Sequence, residues 1–376
     1  MKKLFTISLF LLCTGWSIAQ TLTQPPSGDN QKSSVSQWIG PVKININYSS
    51  PDVTGPNGED RKGHIWGELV HNGFIDQGFG SSKAAPWRAG ANENTTITFS
   101  NDVKIEGRDI KAGTYGLFLA TEKTGPWTWI FSKNSTSWGS YFYDVNEDAL
   151  RVTVSPQEAP HQEWLTFGFE DRLPNSSVAY LHWDNKRVSF KIEVADINAL
   201  YVSKMRNELR TSPGFDYRNW STAAQFCAQN KINLDEALTW ADAAMNPNIG
   251  GIEDFGTLST KAAVLRAMGR EAEAEPVMDK AIRIPNTPVG AIHQYARGLL
   301  TAGKKEKAME VFQFNAKLHP EDKFTTSVGL ARGYSAMADK KNAVKYWELA
   351  IKNIPENQKP YLATYQGELK KVQEGK

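Results

Sequence analysis

The spacing of apolar residues along this 376-residue chain changes once, at Asp196, and this change limits the folds open to it. Before Asp196, apolar and polar residues alternate, as in VKININY at residues 42–48, which is the pattern of a half-buried β-strand. After Asp196, apolar residues return every three or four positions, as in an amphipathic helix. The sequence therefore predicts a β-rich domain over residues 36–195 and a helical domain over residues 196–376.

The β-rich part is a series of short strand candidates separated by turn residues. After residues 42–48, the candidates are Ile65–Val70, Thr95–Ser100, Val103–Glu106, Thr114–Ala120, Thr128–Ser132, Leu150–Val154, Trp164–Glu170, Ala179–Trp183 and Val188–Val194. Short strands at this spacing are typical of an antiparallel β-sandwich or an open barrel, and we expect the sandwich. Residues 20–35 are polar with two prolines, so we expect a flexible lead-in there. Residues 51–63 and 71–86 are long for loops of a compact sandwich, which is typical of functional or mobile loops.

The helical part repeats itself. The residues in register are Ala274, Ala308 and Ala343, at separations of 34 and 35, and Ala262, Ala296 and Ala331, twelve positions earlier in each copy. A large residue, Met278, Phe312 or Trp347, follows each alanine of the first set. This spacing resembles tetratricopeptide repeats over about residues 217–355, because small residues let two helices approach and a large one fills the space between them. Such arrays imply a concave face that binds a protein or peptide.

The first nineteen residues predict a secretory signal peptide. Lys2 and Lys3 precede an apolar run from Leu4 to Cys13, and Ser17 and Ala19 then form a small-x-small cleavage site. The run is too short for a membrane span, which needs about 18 apolar residues, and no other segment of the sequence approaches that length. We therefore expect an exported protein, periplasmic or extracellular, with no transmembrane segment.

Charge and cysteine content narrow the classes of partner and chemistry. Removal of residues 1–19 takes away two lysines, which leaves 41 basic and 41 acidic residues. Because nucleic-acid affinity rests on clustered Lys and Arg, we expect no nucleic-acid partner. Cleavage also leaves one cysteine, Cys227, so an internal disulfide is excluded. Cys227 lies in the helical pattern AAQFCAQN, which favours a buried small residue over a nucleophile.

The segment WRAGANENTTITF, at residues 87–99, contains the first candidate site. Arg88, Asn92 and Glu93 surround three small residues just before a strand candidate. One interpretation is a polar site in which Arg88 holds a carboxylate or phosphate and Glu93 is a base or acceptor. The other is a structural corner, in which Arg88 pairs with Glu68 or Glu93 and Asn92 satisfies the loop backbone.

The segment SWGSYFYDVNEDALRV, at residues 137–152, contains the second. Trp138, Tyr141 and Tyr143 are predicted to line a cleft, with Asp144 as its polar anchor. The alternative is an aromatic corner that covers the end of the sandwich.

No cofactor or metal is predicted. His64, Glu68 and His71 are the cluster most similar to metal ligands, but on a strand His71 would point away from the other two. The sequence contains no nucleophile elbow, P-loop or dinucleotide fingerprint, so whether the protein is an enzyme stays open, and non-enzymatic roles are favoured.

Six segments in the β-rich part resemble, in order, the exported bacterial family DUF2911, over about residues 36–194. They are GPVKININYSSP, IWGELV, WRAGANENTTITFSNDVKIEGRDIKAGTYGLF, WTWIFSKN, WGSYFYD and ALRVTV. The resemblance implies a β-rich domain of envelope or secreted proteins, sometimes joined to tetratricopeptide repeats, and brings no established reaction or ligand. This chain departs from the usual pattern between Val70 and Trp87, where its connection is longer.

Together these patterns predict a multidomain protein, all-β and then all-α: an antiparallel β-sandwich followed by a tetratricopeptide-like array. We expect an exported binding or scaffold protein of the bacterial envelope, whose repeats bind a protein or peptide. The alternative is an enzyme that acts on glycans or peptides through a polar cleft around Arg88 and Glu93.

Overall fold

The computed structural model of the protein describes residue 28 and residues 30–375. The chain divides into two compact units between Ile197 and Asn198. We call these the β unit and the helical unit. The signal peptide predicted over residues 1–19, and most of the lead-in, lie outside the described residues.

Antiparallel strands build the β unit. They are β1 (Gln31–Ile39), β2 (Val42–Ser50), β3 (Thr96–Phe99), β4 (Val103–Ile105), β5 (Arg108–Ile110), β6 (Gly113–Ala120), β7 (Trp127–Ser132), β8 (Asp148–Val154), β9 (Gln157–Leu173) and β10 (Ser176–Glu193). One sheet has six strands in the order β1-β2-β3-β6-β7-β8, and the other has four in the order β5-β4-β10-β9.

Aromatic side chains fill the space between the two sheets. Phe190 of β10 lies 5.3 Å from Trp129 and 5.5 Å from Phe131 of β7, measured between ring centroids. Tyr48 of β2 meets Phe167 of β9 at 5.0 Å. Edge-on aromatic pairs of this kind contribute about 0.5–1.5 kcal/mol each beyond the area they bury. The predicted antiparallel sandwich is confirmed.

Three details of the strand prediction are wrong. Residues 31–35 are not lead-in but belong to β1, where Val35 pairs with Ile46 of β2. Residues 65–70 form a turn, in which the amide of Val70 donates to the carbonyl of Ile65 at 2.8 Å. The two strands predicted over 179–194 are one strand, β10, which bulges at Asp184 as it pairs with β9.

The helical unit is an array of paired helices. They are α1 (Ile197–Glu208), α2 (Tyr217–Asn230), α3 (Leu234–Ala243), α4 (Phe255–Ala267), α5 (Glu271–Ala281), α6 (Val289–Thr301), α7 (Lys305–Leu318), α8 (Thr325–Ala336), α9 (Lys340–Lys352) and α10 (Leu362–Glu374). Among residues 30–375, no helix is both long enough and apolar enough to cross a membrane.

The predicted repeat positions are the packing positions of these pairs. The alanines in register on α4 to α9 are fully buried: Ala262, Ala274, Ala296, Ala308, Ala331 and Ala343. Helices pack closely where a small residue meets the neighbouring helix. Met278, Phe312 and Trp347 are also buried, as predicted for the large residue of each copy.

Candidate functional site

Residues 87–95 form a tight loop that packs on β2. Ala89 and Asn92 have positive φ angles of 50° and 56°, a conformation that non-glycine residues adopt rarely. The hydroxyl of Thr95 donates to the carbonyl of Ala89 at 2.9 Å, and the amide of Ala91 donates to the carbonyl of Ser49 at 3.2 Å. The small residues are thus required by the close approach of this loop to the sheet.

Arg88 is half-buried and held by neutral groups. Its Nη1 donates to the backbone carbonyl of Asn92 at 2.8 Å, and its Cζ lies 5.3 Å from the ring centroid of Tyr141. A Cβ added to Gly139 would lie 2.5 Å from the same Cζ, so the loop around Gly139 closes on the guanidinium. Among the described residues, no carboxylate lies within ion-pair distance of Arg88. The ion pair predicted for Arg88 with Glu68 or Glu93 is therefore wrong.

Glu93 faces a different partner. Its Oε1 lies 2.9 Å from Nζ of Lys32 on β1, and its Oε2 accepts from the hydroxyl of Ser49 at 3.4 Å. The hydrogen bond from Lys32 lowers the pKa of the Glu93 carboxyl below its usual value. The pair borders an open cavity of about 420 Å³ between residues of β1, β2 and the loop. Glu93 is consequently charged and already engaged at neutral pH, which suits an acceptor better than a general base.

Tyr143 and Asp144 serve local structure. The phenol of Tyr143 donates to Oδ2 of Asp148 at 2.8 Å and accepts from Nη2 of Arg151 at 2.6 Å. Burial and the hydrogen bond to Asp148 raise the pKa of Tyr143. The Asp144 carboxylate accepts from the backbone amide of Asn146 at 2.9 Å and caps a short turn of 3₁₀ helix. The structure does not bring these two residues to Arg88 in any contact that it describes.

Two loops carry a cluster of two exposed rings and one half-buried ring that we call the aromatic patch: Phe79, Phe142 and Tyr141. Phe79 lies 5.4 Å from Tyr141 and 6.1 Å from Phe142, between ring centroids. Phe79 is 65% exposed and Phe142 53% exposed. The amide of Ser82 donates to the carbonyl of Tyr141 at 2.9 Å, so the loops 71–86 and 137–147 are joined. Exposed apolar rings in contact mark an interaction surface more often than a chance exposure.

The patch includes only one residue of the predicted site. Tyr141 joins it to Arg88, while Trp138, 52% exposed, lies in the same loop and forms an isolated β-bridge with Glu93. The sequence analysis missed Phe79 and Phe142. The signal available for them was the unusual length of the loop at residues 71–86, which holds Phe79 beside a glycine on each side.

A buried carboxylate also escaped the sequence analysis. Asp184, 1% exposed at the bulge of β10, accepts from the amide of Gly63 at 3.2 Å and lies 3.2 Å from Nδ1 of His161. The other ring nitrogen of His161 lies 3.1 Å from Glu163. In a catalytic triad, the second ring nitrogen of the histidine faces a nucleophilic hydroxyl or thiol, whereas that of His161 faces the carboxylate of Glu163. The hydrogen bond between Gly63 and Asp184 joins the loop at residues 51–63 to the β9–β10 hairpin.

The three residues most similar to metal ligands, His64, Glu68 and His71, do not lie on the strand predicted for them. Nδ1 of His64 lies 3.0 Å from Oε1 of Glu68, in a turn rather than on a strand. His71 is half-buried, and within the part of the chain that the structure describes both of its ring nitrogens lack a hydrogen-bond partner. Among residues 30–375, no three His, Cys, Asp or Glu side chains are grouped so that they could hold a metal ion.

Residues 30–192 match the family model DUF2911, a protein of unknown function. The β unit carries a DUF2911 domain. The resemblance inferred from the residue motifs is confirmed, and the aromatic patch, Arg88 and Glu93 all lie within the DUF2911 domain. No curated protein matches the chain.

Solved structures of other proteins are similar to parts of this chain. One is YrrB, a TPR protein with an unusual peptide-binding site, at 15% identity and a TM-score of 0.31, covering 45% of this chain and 83% of that one. Another is a human IFIT1 dimer with PPP-AAAA, at 14% identity and a TM-score of 0.28, covering 48% of this chain and 45% of that one. The paired helices and their 34- to 35-residue spacing make the array after the DUF2911 domain tetratricopeptide-like.

Proposed function

We propose that the protein is an exported binding or scaffold protein of the bacterial envelope, whose helical repeats hold a protein or peptide segment. The observation that carries this proposal is the regular surface of the array. One residue after the buried alanines of α4, α6 and α8, the equivalent residues Ala263, Arg297 and Arg332 are not buried. Stacked helix pairs with solvent-accessible equivalent positions form a continuous surface that suits an extended chain.

The DUF2911 domain adds a second surface, the aromatic patch. Rings that are already packed against one another lose little side-chain entropy on binding, so they suit contacts with an apolar or ring-bearing ligand. The separate partners of Arg88 and Glu93 favour binding over the alternative of catalysis. An enzyme cleft would need both side chains to be available to one substrate.

Export follows from the N-terminal sequence, and the near balance of basic and acidic residues favours a protein partner over nucleic acid. Mass spectrometry of the protein purified from cells that make it should find an N-terminus near Gln20. A cytoplasmic protein that begins at Met1 would count against export.

Site-specific photo-crosslinking in cells tests the binding proposal. A photoreactive residue at Thr301, which lies one turn after Arg297 on α6, should capture a protein partner. The matched control is the same residue at Glu310 on α7, which is also exposed. Equal crosslinking at both positions, or crosslinking only from the aromatic patch, would contradict the proposed role of the repeats.

A further inference from the structure

Two arginines occupy equivalent positions on neighbouring helices of the array. Arg297 follows Ala296 on α6, and Arg332 follows Ala331 on α8, and these two alanines are in register. Because α6 packs against α8, the arginines lie on the same side of the helix pair. They are close enough that the charge of Arg297 lowers the pKa of Arg332.

Neither arginine is neutralised within the part of the chain that the structure describes. No carboxylate there lies within ion-pair distance of Arg297 or Arg332. Glu368 on α10 acts on Arg332 only at longer range, and its carboxylate lies 2.7 Å from Nζ of Lys371. Arg297 is exposed, and the one hydrogen bond that its guanidinium makes among these residues goes to the side chain of Gln294 at 3.5 Å.

Arg332 is also partly withdrawn from water. Its Nε is buried and has no hydrogen-bond partner among the described residues, and its Cζ lies 5.7 Å from the ring centroid of Trp347. Burial is the main reason for its lowered pKa. Leaving a charged donor buried and unsatisfied destabilises a protein, so such groups in native structures call for an explanation.

Other arginines of the helical unit, such as Arg206 and Arg270, are paired with carboxylates. Arg206 donates to both carboxylate oxygens of Glu236, and Arg270 to both of Glu273, each bond at 2.7 Å. The fork of a guanidinium matches a carboxylate in this two-bond geometry. Arg297 and Arg332 lack such a partner among the described residues, and they differ from the other unpaired arginines of the helical unit because they lie at equivalent positions on two helices that pack together.

The histidine beside the arginines is neutral at pH 7, because burial lowers its pKa to about 4. His293, one turn before Arg297, is 7% exposed, and its buried Nδ1 has no hydrogen-bond partner among the described residues. Its ring lies 5.5 Å from that of Phe312. The nearby Asp322 is engaged, since its Oδ1 accepts from the backbone amides of Phe324 and Thr325. Among residues 30–375, Asp322 forms no ion pair with either arginine, although its charge acts on the same histidine.

We propose that Arg297 and Arg332 form a binding site for the carboxylates of an acidic peptide, and this inference rests on the proposed function. A peptide carboxylate supplies the negative charge and the two acceptor oxygens that the arginines lack. A phosphodiester chain fits less well, because it requires a long positive surface and this site offers two arginines.

Fluorescence anisotropy with labelled peptides tests the site. The probe is a decapeptide of alanine and leucine with three glutamates, and its control has glutamine in place of glutamate. Both are titrated with the full chain at physiological salt. We expect saturable binding of the glutamate peptide only, and a loss of roughly tenfold or more in affinity in R297Q/R332Q, as expected for charge-assisted hydrogen bonds.

R270Q is the matched control, because Arg270 already has Glu273 as its partner. Circular dichroism should be used to check that each variant is folded. A C-terminally amidated peptide distinguishes the sources of the carboxylate: retained binding assigns the site to side chains, and lost binding assigns it to a chain end. Equal weakening by R270Q and R297Q/R332Q, or displacement of the peptide by a single-stranded oligonucleotide at lower concentration, would overturn the inference.

The outcomes for the two proposals are separable. If the glutamate peptide does not bind but Thr301 still crosslinks a protein partner, the acidic-peptide site is wrong and the binding function stands. If the peptide binds and Thr301 captures nothing in cells, the site exists and the proposed protein partner is wrong.

Discussion

Oε1 of Glu93 lies 2.9 Å from Nζ of Lys32, so an ion pair joins the candidate loop to the edge strand β1. Both side chains are largely exposed, at 44% for Glu93 and 70% for Lys32. Because Glu93 pairs with Lys32, Arg88 contacts only the neutral Asn92 carbonyl and Tyr141 in the contacts described above. The predicted polar site is therefore two separate parts, one around Arg88 and one around Glu93.

Loss of Lys32 should have a small effect that depends on pH. Lys32→Ala is expected to lower the free energy of unfolding at pH 7 by less than about 1 kcal/mol, because exposed ion pairs are weak. Lys32 lowers the pKa of Glu93, so the stabilisation is present above the ordinary value of 4.5 and disappears as pH falls through the lower folded value. Urea unfolding at pH 7 and pH 3 measures both. A larger difference between parent and variant at pH 3 than at pH 7 would contradict the ion pair.

Arg88 should make a moderate structural contribution. Arg88→Ala removes the hydrogen bond to the Asn92 carbonyl and the contact with Tyr141, and strands no buried carboxylate. We expect a loss of about 1–2 kcal/mol in unfolding free energy, less than for a broken buried ion pair. Arg88→Lys, as control, should recover part of it. A melting temperature of Arg88→Ala within about a degree of the parent would mean that Arg88 is kept for a ligand.

Much of the architecture was predictable because it depends on local periodicity. The alternation of VKININY and the alanine register of the repeats specify a sandwich and paired helices with no knowledge of tertiary contacts. β1 was missed because its face is mostly Ser, Lys and Gln, and an exposed edge strand has a weak hydrophobic pattern. The β9–β10 hairpin was divided because Asp184 interrupts the alternation at a bulge.

The candidate site was less predictable, since its partners come from distant parts of the sequence. The sequence suggests Glu93 or Glu68 as the partner of Arg88. No feature near Arg88 in the sequence identifies Lys32 as the partner of Glu93 or Tyr141 as the partner of Arg88. Likewise, Arg297 and Arg332 fall in register in the sequence, but only the structure reveals that no described carboxylate neutralises them. Pairing across a fold is a tertiary property, whereas periodicity is a local one.

His293 should make the helical unit sensitive to acid. Burial lowers its pKa from 6.5 to about 4, with smaller effects from Arg332 and Arg297 in the same direction and from Asp322 in the opposite one. The unfolded chain takes up the proton near pH 6.5 and the folded protein near pH 4, so stability falls as pH decreases between these values. The full effect is about 3 kcal/mol. Chemical unfolding at pH 7, 5.5 and 4 should show a smaller decrease for His293→Leu than for the parent, and equal decreases would contradict this role.

Ala338 occupies a position that suits glycine. Gly269 and Gly303 end the first helix of their repeats with φ near 77° and 76°, and Ala338 has φ of 59° at the equivalent position. Because a Cβ is unfavourable in the left-handed region, Ala338→Gly should stabilise the protein by about 0.5–1 kcal/mol in thermal unfolding. Ala336→Gly, at the end of α8, should instead destabilise it by about 1 kcal/mol. If both changes destabilise, the left-handed turn at Ala338 is not formed.

The central claim, that the repeats hold an acidic partner at Arg297 and Arg332, is tested most directly by thermal unfolding of the parent and of Arg332→Met, each with and without the glutamate peptide. Without peptide, Arg332→Met should unfold at a higher temperature, because a buried, unneutralised charge is removed and polar groups kept for binding commonly reduce stability. A peptide at a hundredfold excess over its dissociation constant should stabilise the parent by about 2.7 kcal/mol and the variant much less. A variant that unfolds at a lower temperature, together with equal peptide shifts for both proteins, would contradict the claim.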